Sequence, residues 1–285
     1  MGKPGSREAG GAQTGRAHAI RSAASMLLLY SPVRRAAERL ARRVTVWRRL
    51  PEGFGPGRIL VSPDAMLAVL KPRLEDAGPT LFDLGRRLVR PGMRVWDVGA
   101  DLGLFGFASA WRAGPGGSVL LVEPDPGLCA LLARSAKRLA GRGYAPATVA
   151  CCAALDQAGP VRFHIAARGR ATNAVAGFGP GPRGGARRTL VVGGTSLDDL
   201  LAVADPPDLV KLDAQGAELA VLRGAAGVLR RRPILVVKVR DQDADGATAL
   251  LREAGYSLLD GGTGLRPVER CVATTVALPR VHASL

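Results

Sequence analysis

Aromatic side chains are scarce in this sequence: they make up only 4% of its 285 residues, although hydrophobic residues reach 47%. Aliphatic side chains must therefore fill most of the core, and their share is high enough for a folded chain. The scarcity also argues against a surface that stacks nucleic-acid bases, because such surfaces are built from aromatic rings.

Cysteine and histidine are sparse as well, with four and three residues. The cysteines form no CxxC pair and no histidine cluster accompanies them, so we predict no metal site. We expect unpaired thiols in a reducing cytoplasm. The four positions are Cys129, Cys151, Cys152 and Cys271.

The chain lacks a long hydrophobic run. Its apolar stretch Met26–Tyr30 is far shorter than the roughly 20 residues that span a bilayer. Arg34, Arg35 and Arg39 follow this stretch too closely for a signal peptide. We therefore expect a cytoplasmic protein.

Acidic residues are outnumbered, with 24 Asp and Glu against 40 Lys and Arg, which gives a formal net charge of +16. Residues 1–50 hold eleven of the basic residues and two of the acids. This segment is either a solvated leader or a contact with a membrane surface or another protein. Composition predicts a flexible basic tail over 1–18, and near-helical apolar spacing predicts a helical extension over 19–90.

From residue 91 to 285, apolar strands alternate with helices, which predicts one α/β domain. Such alternation is typical of a mostly parallel sheet with helices on both faces. We predict a Rossmann-like, mostly parallel seven-stranded sheet with an antiparallel edge. Its predicted strands are 93–98, 118–122, 147–153, 209–213, 234–239, 256–259 and 271–277. We also predict extra strands at 161–166 and 189–192, one helix over 126–139 and one helix over 217–229.

The first motif that carries chemistry joins strand 93–98 to a helix. Asp97 lies near the end of the strand, and Gly99 and Gly103 form a turn that contains Asp101. Glycines let the backbone turn tightly and approach a ligand closely. The start of the following helix offers free N–H donors. The segment therefore predicts a ligand-binding turn.

A second acid lies at the end of the next strand, where Glu123 and Pro124 follow Val122. Glu123 comes 20 residues after Gly103, about the spacing at which a carboxylate binds ribose hydroxyls in βαβ units. A carboxylate can accept both hydrogen bonds of a vicinal diol. The pattern therefore predicts a nucleoside ligand.

The two aspartates of the turn indicate which nucleoside ligand fits. The chain has no GxxxxGK[ST] phosphate loop, and its turn is GxxxG rather than GxGxxG. Asp97 and Asp101 would repel a pyrophosphate and attract a cation. Because S-adenosyl-L-methionine carries a positive amino group and a positive sulfonium, we predict it as the cofactor.

A third acidic strand end follows at Lys211–Glu218. Carboxyl ends of parallel strands meet at one edge of a sheet, so Asp213 should face the same crevice as Asp97. Lys211 either acts in that crevice or forms an ion pair. Glu218 either acts there or stabilises the first turn of a helix, where acids are favoured.

Four stretches resemble motifs of the FkbM-type methyltransferases, a class I family that depends on S-adenosylmethionine. They read VWDVGADLGLFG, LLVEPDPGLCALL, TSLDDLL and DLVKLDAQGAELAVLRGA. The resemblance covers about residues 90–240. It implies that Asp97, Gly99 and Gly103 hold the amino-acid part of the cofactor and that Glu123 holds its ribose.

The resemblance also implies roles for two further places. The segment 153–156, which contains Leu155, would lie against the adenine, and Asp213 would lie near the transferred methyl group. Members of the family typically methylate hydroxyl oxygens of sugars or polyketide-type natural products. A hydroxylated small molecule is therefore the expected partner, and nucleic acid is not.

The chain departs from the family pattern at three positions. Asp101 stands where the family usually has Asn, and Gln215 and Lys238 stand where it usually has Glu. Two carboxylates are thus missing from the side of the site where we expect the methyl acceptor to bind. A hydroxyl acceptor can need a base there to remove its proton. Asp213 and Lys211 remain as catalytic candidates, with His164 a weaker one because it lies in a predicted strand.

Two other functions compete with methyl transfer to a hydroxyl. A homologue that binds the cofactor or a partner without catalysis would account for Gln215 and Lys238. A nucleic-acid methyltransferase would account for the basic N-terminal segment and for the arginines between 168 and 188.

Overall fold

A computed structural model describes residues 44–280 of the chain. The predicted basic tail and the first part of the predicted helical extension lie outside these residues. The strands are β1 Val46–Arg49, β2 Arg58–Val61, β3 Arg94–Val98, β4 Ser118–Val122, β5 Ala147–Ala150, β6 Ala153–Leu155, β7 Gly159–Ala166, β8 Ala174–Val175, β9 Ala186–Ser196, β10 Leu209–Leu212, β11 Ile234–Lys238, β12 Tyr256–Asp260, β13 Arg266–Pro267 and β14 Thr274–Pro279. The helices are α1 Pro79–Leu88, α2 Leu104–Ala113, α3 Pro126–Leu139, α4 Leu197–Leu200, α5 Glu218–Arg223, α6 Ala226–Arg230 and α7 Ala244–Glu253.

The described part of the segment before β3, residues 44–93, is less helical than its apolar spacing predicts. Strands β1 and β2 form an antiparallel hairpin, followed by two short 3₁₀ turns, Leu67–Leu70 and Leu74–Ala77. Within residues 44–93, α1 is the only α-helix, and it begins at Pro79. Proline lacks the N–H that a helix interior needs, so Pro72 and Pro79 divide the predicted helix.

Within the described residues, the main sheet has eight strands in the order β13-β12-β14-β11-β10-β3-β4-β5. The five strands from β11 to β5 pair in parallel, whereas β14, β12 and β13 add an antiparallel edge. The predicted Rossmann-like architecture with an antiparallel edge is confirmed, but seven was the wrong number of strands. The additional strand is β13, a two-residue pairing with β12.

Helices cover both faces of this sheet. Along β3, Val95 packs in one core cluster with residues of α1, α2 and α3. The next residue, Trp96, packs in a second cluster with residues of α4, α5, α6 and α7. Successive side chains of a strand point to opposite faces, so one strand serves both layers. Asp97 therefore points to the same face as Val95.

The order of the strands contains one switch point. The chain runs outward from β3 through β4 to β5 and later returns to build β10 and β11 on the other side of β3. In open α/β sheets a crevice forms at such a point, beyond the carboxyl ends of the strands, and ligands bind there. Strands β3 and β10 flank this crevice.

A second sheet of four strands, β6-β9-β7-β8, lies after β5. We predicted one strand over 147–153, which is wrong because the chain leaves the main sheet after Ala150. The amide of Cys152 donates to the carbonyl of Ala150 in a tight turn, and Ala153 then pairs with Gly194 of β9. A run of small apolar residues does not reveal such a change of partner.

The helix predicted over 217–229 is two helices, α5 and α6. A Cβ at Gly224, between them, would lie 2.5 Å from the carbonyl oxygen of Leu155, so this glycine permits close contact with β6. The carboxylate of Asp198 accepts hydrogen bonds from the amides of Gly227 and Val228 in the first turn of α6. Among residues 44–280, no helix is long and apolar enough to cross a membrane.

Candidate functional site

A cavity of about 350 Å³ opens at the switch point between β3 and β10. Predicted site residues from three strand ends meet in its wall. They are Asp97, Gly99, Asp101, Glu123, Pro124, Lys211 and Asp213. Among the residues that the structure describes, no three His, Cys, Asp or Glu side chains are placed to hold a metal ion.

Gly99 brings the ends of β3 and β10 into direct contact. Its φ is 71°, and a Cβ at this position would overlap the carbonyl oxygen of Asp213. The amide of Asp213 in turn donates to the carbonyl of Val98 at 3.0 Å. A side chain at residue 99 would therefore separate two walls of the cavity.

Gly103 does not line the cavity; it starts helix α2. Its φ of 72° is left-handed, and a Cβ would lie 2.6 Å from the Phe107 ring. The carboxylate of Asp97 accepts from the amide of Gly106 at 2.9 Å, so this buried acid holds the first turn of the same helix. Asp97 thus connects β3 to α2.

Lys211 pairs with Asp97 across adjacent strands. The two residues are register partners, and Lys211 Nζ lies 3.0 Å from Asp97 Oδ1. The same ammonium donates to the carbonyl of Gly99 at 2.7 Å. Burial alone would lower the pKa of Lys211, but the carboxylates of Asp97 and Asp213 outweigh it and raise this pKa. The protonated ammonium fixes the glycine turn, so the structure does not support Lys211 as a proton acceptor.

Glu123 holds the loops that follow β3 and β4. Its carboxylate accepts from the amides of Asp101 and Asp125, each at 2.9 Å. The side chain is buried, and burial, the largest influence, raises the pKa of Glu123 to about 8. Each oxygen keeps a lone pair beyond these two bonds, so the carboxylate can still accept from ligand hydroxyls.

Asp101 has an unusual backbone and an unused oxygen. Its φ is 51°, in the left-handed region where aspartate is tolerated. Its Oδ1 atom is buried and has no hydrogen-bond partner within residues 44–280. Burial and neighbouring carboxylates raise the pKa of Asp101 to about 7, although Lys211 opposes the rise. This oxygen is therefore available to a cationic or hydrogen-bond-donating ligand.

Asp213 lies at the mouth of the cavity, where its two oxygens have different partners. Lys238 Nζ lies 3.3 Å from Oδ2, and Gln215 Nε2 donates to Oδ1 at 3.2 Å. The carboxylate of Glu218 accepts from the amides of Ala214 and Gly216. Glu218 therefore stabilises the turn that precedes α5, rather than the first turn of the helix that the sequence suggested.

The side of the cavity next to β6 differs from the expectation, because only two of the residues 153–156 line it. Ala153 and Ala154 line it, but Leu155 does not. Leu155 lies further along β6, buried in a separate cluster with Phe163 of β7. His164 also lies away from the cavity, where Nδ1 is 2.9 Å from Oγ1 of Thr189.

An ion-pair bridge that the sequence did not predict contributes to the wall of the cavity. Arg170 lines it and lies 3.0 Å from Oδ2 of Asp64 and 3.3 Å from Oδ1 of Asp125. Asn173 donates to the other oxygen of Asp125 at 2.8 Å, and Arg187 pairs with Asp64. Asp125 lies inside the motif LLVEPDPGLCALL. Arg170 comes 45 residues later, and nothing in the sequence around it indicates that it pairs with Asp125.

A model of the Methyltransferase FkbM domain matches residues 97–258 of the chain. A search of curated proteins finds no match. Solved structures that resemble the chain include a methyltransferase FkbM from Methylobacillus flagellatus KT, with 16% identity and a TM-score of 0.45. The match covers 89% of this chain and 60% of that one, so the chain spans less than two thirds of its length.

Two further similar structures come from other bacteria. One is a SAM-dependent O-methyltransferase from Thermotoga maritima, with 14% identity, a TM-score of 0.40 and coverage of 73% of this chain and 67% of that one. The other is a putative rRNA methylase from Clostridium thermocellum, with 11% identity and a TM-score of 0.42. That match covers 72% of this chain and 94% of the other.

Proposed function

Because the chain belongs to the family of FkbM methyltransferases, with S-adenosyl-L-methionine as cofactor, we propose that it methylates a hydroxyl oxygen of a small molecule. Sugars and natural-product-type compounds are the acceptor classes we propose. The observation that carries the proposal is the group of acids in one cavity wall, contributed by the ends of β3, β4 and β10. Asp101, Glu123 and Asp213 are its ligand-facing members.

The acids fit a cationic nucleoside better than a phosphate-bearing one. Asp101 offers a buried oxygen without a partner, and Glu123 offers a carboxylate already oriented by two backbone amides. A pyrophosphate would meet repulsion from both side chains. When bound, S-adenosyl-L-methionine supplies an electrophilic methyl group on a positively charged sulfur. We propose that Glu123 binds its ribose and Asp101 its amino group.

The acceptor side of the proposed site is the mouth of the cavity around Asp213. Its carboxylate is held at both oxygens, so it can accept a hydrogen bond from an acceptor hydroxyl in a fixed direction. The acceptor oxygen gains the methyl group and loses its proton, which Asp213 or water takes up. Holding the oxygen in line with the methyl group would supply most of the rate enhancement.

Labelled cofactor tests the proposal directly. The protein is incubated with S-adenosyl-L-methionine carrying a radioactive methyl group and with fractionated bacterial small-molecule, RNA and protein pools. We expect label in a hydroxylated small molecule, as an ether that resists mild base. Label that appears only in RNA or protein, or only in base-labile esters, would contradict the proposed acceptor.

We also propose a cytoplasmic location. All four cysteines lie in the described part of the chain and are free thiols. Free thiols of this kind persist in reducing compartments. Fractionation of cells that produce the full chain, followed by immunoblotting, tests the location.

A further inference from the structure

Asp213 is held from two sides by residues that come from different elements. Lys238 is the last residue of β11, and Gln215 lies in the turn after β10. Strands β10 and β11 pair in parallel, with Leu212 opposite Val237. The residues that follow this pair, Asp213 and Lys238, therefore meet at the strand ends.

The turn that carries Gln215 is rigid. Gln215 has a φ of 51°, and the carbonyl of the next residue, Gly216, accepts from Arg240 at 3.1 Å. A Cβ at Gly216 would overlap Gly179, so the β7–β9 connection packs directly on this turn. The backbone of this turn thus places the side-chain amide of Gln215 next to Asp213, and the hydrogen bond between them needs little rearrangement of the chain.

Lys238 contributes charge rather than stability. Its side chain is 53% exposed and that of Asp213 is 16% exposed. An ion pair at this exposure contributes little to the stability of a fold. The other basic groups near the cavity are engaged elsewhere, because Lys211 pairs with Asp97 and Arg240 pairs with Asp243. Lys238 is therefore the cation that pairs directly with Asp213, while buried Lys211 acts on the same carboxylate without an ion pair.

From these contacts we infer that Lys238, with Gln215, is a positioning residue that aims the Asp213 carboxylate and weakens the preference of the site for the positively charged cofactor. The inference rests on the proposed function. S-adenosyl-L-methionine and its product S-adenosylhomocysteine differ by one positive charge on sulfur. Strong attraction to that charge before transfer would stabilise the starting state, which does not accelerate the reaction.

The ratio of the two dissociation constants measures this effect without a known acceptor. Calorimetry with S-adenosyl-L-methionine and with S-adenosylhomocysteine is carried out on the wild type, Lys238→Met and Lys238→Arg. We expect Lys238→Met to tighten binding of the charged ligand about fivefold and to leave the neutral ligand unchanged. Lys238→Arg keeps the cation and should keep the wild-type ratio.

Three comparisons separate the effect of charge from indirect effects. Lys137→Met removes a cation from the exposed side of α3 and should not change the ratio. Higher salt should shrink the difference between Lys238→Met and the wild type, since salt screens exposed charges. Gln215→Glu, which adds a negative charge beside Asp213, should shift the ratio in the same direction as Lys238→Met.

Failure of this inference can be distinguished from failure of the proposed function. If the wild type binds neither ligand, the proposed function is wrong. The inference is wrong if the wild type binds both ligands and Lys238→Met, shown to be folded by its melting curve, keeps the wild-type ratio of dissociation constants. Lys238 would then not act on the charge of the bound cofactor. An equal change for both ligands would also overturn the inference.

Discussion

Lys211 Nζ lies 3.0 Å from Oδ1 of Asp97, and both side chains are buried on neighbouring strands of the central sheet. The pair also fixes the backbone beside the cavity, because Lys211 donates to the carbonyl of Gly99 and Asp97 accepts from the amide of Gly106. A buried ion pair of this kind positions the parts around it, and losing one partner leaves the other charge uncompensated.

Lys211→Met should therefore reduce stability strongly. We expect the free energy of unfolding to fall by about 3–5 kcal/mol, because Asp97 would remain buried without its counter-charge. Chemical denaturation measures the change. Lys137→Met serves as the control, and we expect it to change stability by less than about 0.5 kcal/mol. A Lys211→Met protein with full stability and no activity would instead point to a direct chemical role.

Gly99→Ala should disrupt the site more than a comparable glycine substitution. Both Gly99 and Gly141 have a positive φ, 71° and 69°, so alanine at either position costs about 1–2 kcal/mol of backbone strain. A Cβ at Gly141 meets nothing within 4 Å, whereas one at Gly99 overlaps the carbonyl of Asp213. Unfolding and cofactor-binding measurements on both variants isolate the steric part. Equal losses of stability and of cofactor affinity in the two variants would show that the close approach of residue 99 to Asp213 is unimportant.

The unliganded protein should lose stability as the pH rises. The pKa values of Asp101 and Glu123, about 7 and about 8, lie above the values of about 4 for unfolded carboxyl groups. Between pH 4 and pH 8 the folded chain thus binds more protons than the unfolded chain, and its free energy of unfolding falls with pH. Unfolding curves across this range measure how steeply the free energy of unfolding falls with pH. The double variant Asp101→Asn, Glu123→Gln should show a weaker dependence on pH.

Cofactor affinity should change with pH in the opposite direction. A cationic ligand favours ionised Asp101 and Glu123, so binding releases protons and tightens as the pH rises from about 6 to about 8. Calorimetry in buffers of different ionisation enthalpy counts the released protons. Uptake of protons on binding would contradict the placement of these acids against the cofactor.

Arg170→Met should let the cofactor leave faster while the fold persists. The substitution removes the ion-pair bridge between Asp64 and Asp125 at the cavity wall, yet Arg187 still pairs with Asp64 and Asn173 still donates to Asp125. Neither acid is left unpaired, so we expect a modest loss of stability. Loss of a charged contact predicts that the bound cofactor dissociates about tenfold faster.

Stopped-flow displacement of bound S-adenosyl-L-methionine measures this dissociation rate. Arg188→Met, on the exposed side of β9, removes an arginine of the same segment outside the bridge. It should leave the rate unchanged. Equal rates in Arg170→Met and the wild type would show that the bridge does not retain the cofactor.

The sequence predicted the parts of this site that are encoded locally. Gly99, Glu123 and Asp213 follow mostly apolar strands, and parallel strands bring such ends together. The extent of α3, Pro126–Leu139, was also predicted correctly, because Asp125 caps it and Pro126 starts it.

Long-range contacts explain what the sequence did not reveal. The end of β5 at Ala150 depends on the change of partner at Cys152, and the division between α5 and α6 depends on contact of Gly224 with β6. The Arg170 bridge joins residues that lie far apart in the chain. Hydrophobic periodicity reports which side of an element is buried, but not which element covers it.

The most direct test of the acidic cofactor site is the affinity for S-adenosyl-L-methionine of wild type, Glu123→Ala and Asp101→Asn. Charged hydrogen bonds to a ligand contribute about 1.5–3 kcal/mol, so each substitution should weaken binding at least tenfold in calorimetry. Variants that stay folded and bind as tightly as the wild type would contradict the account.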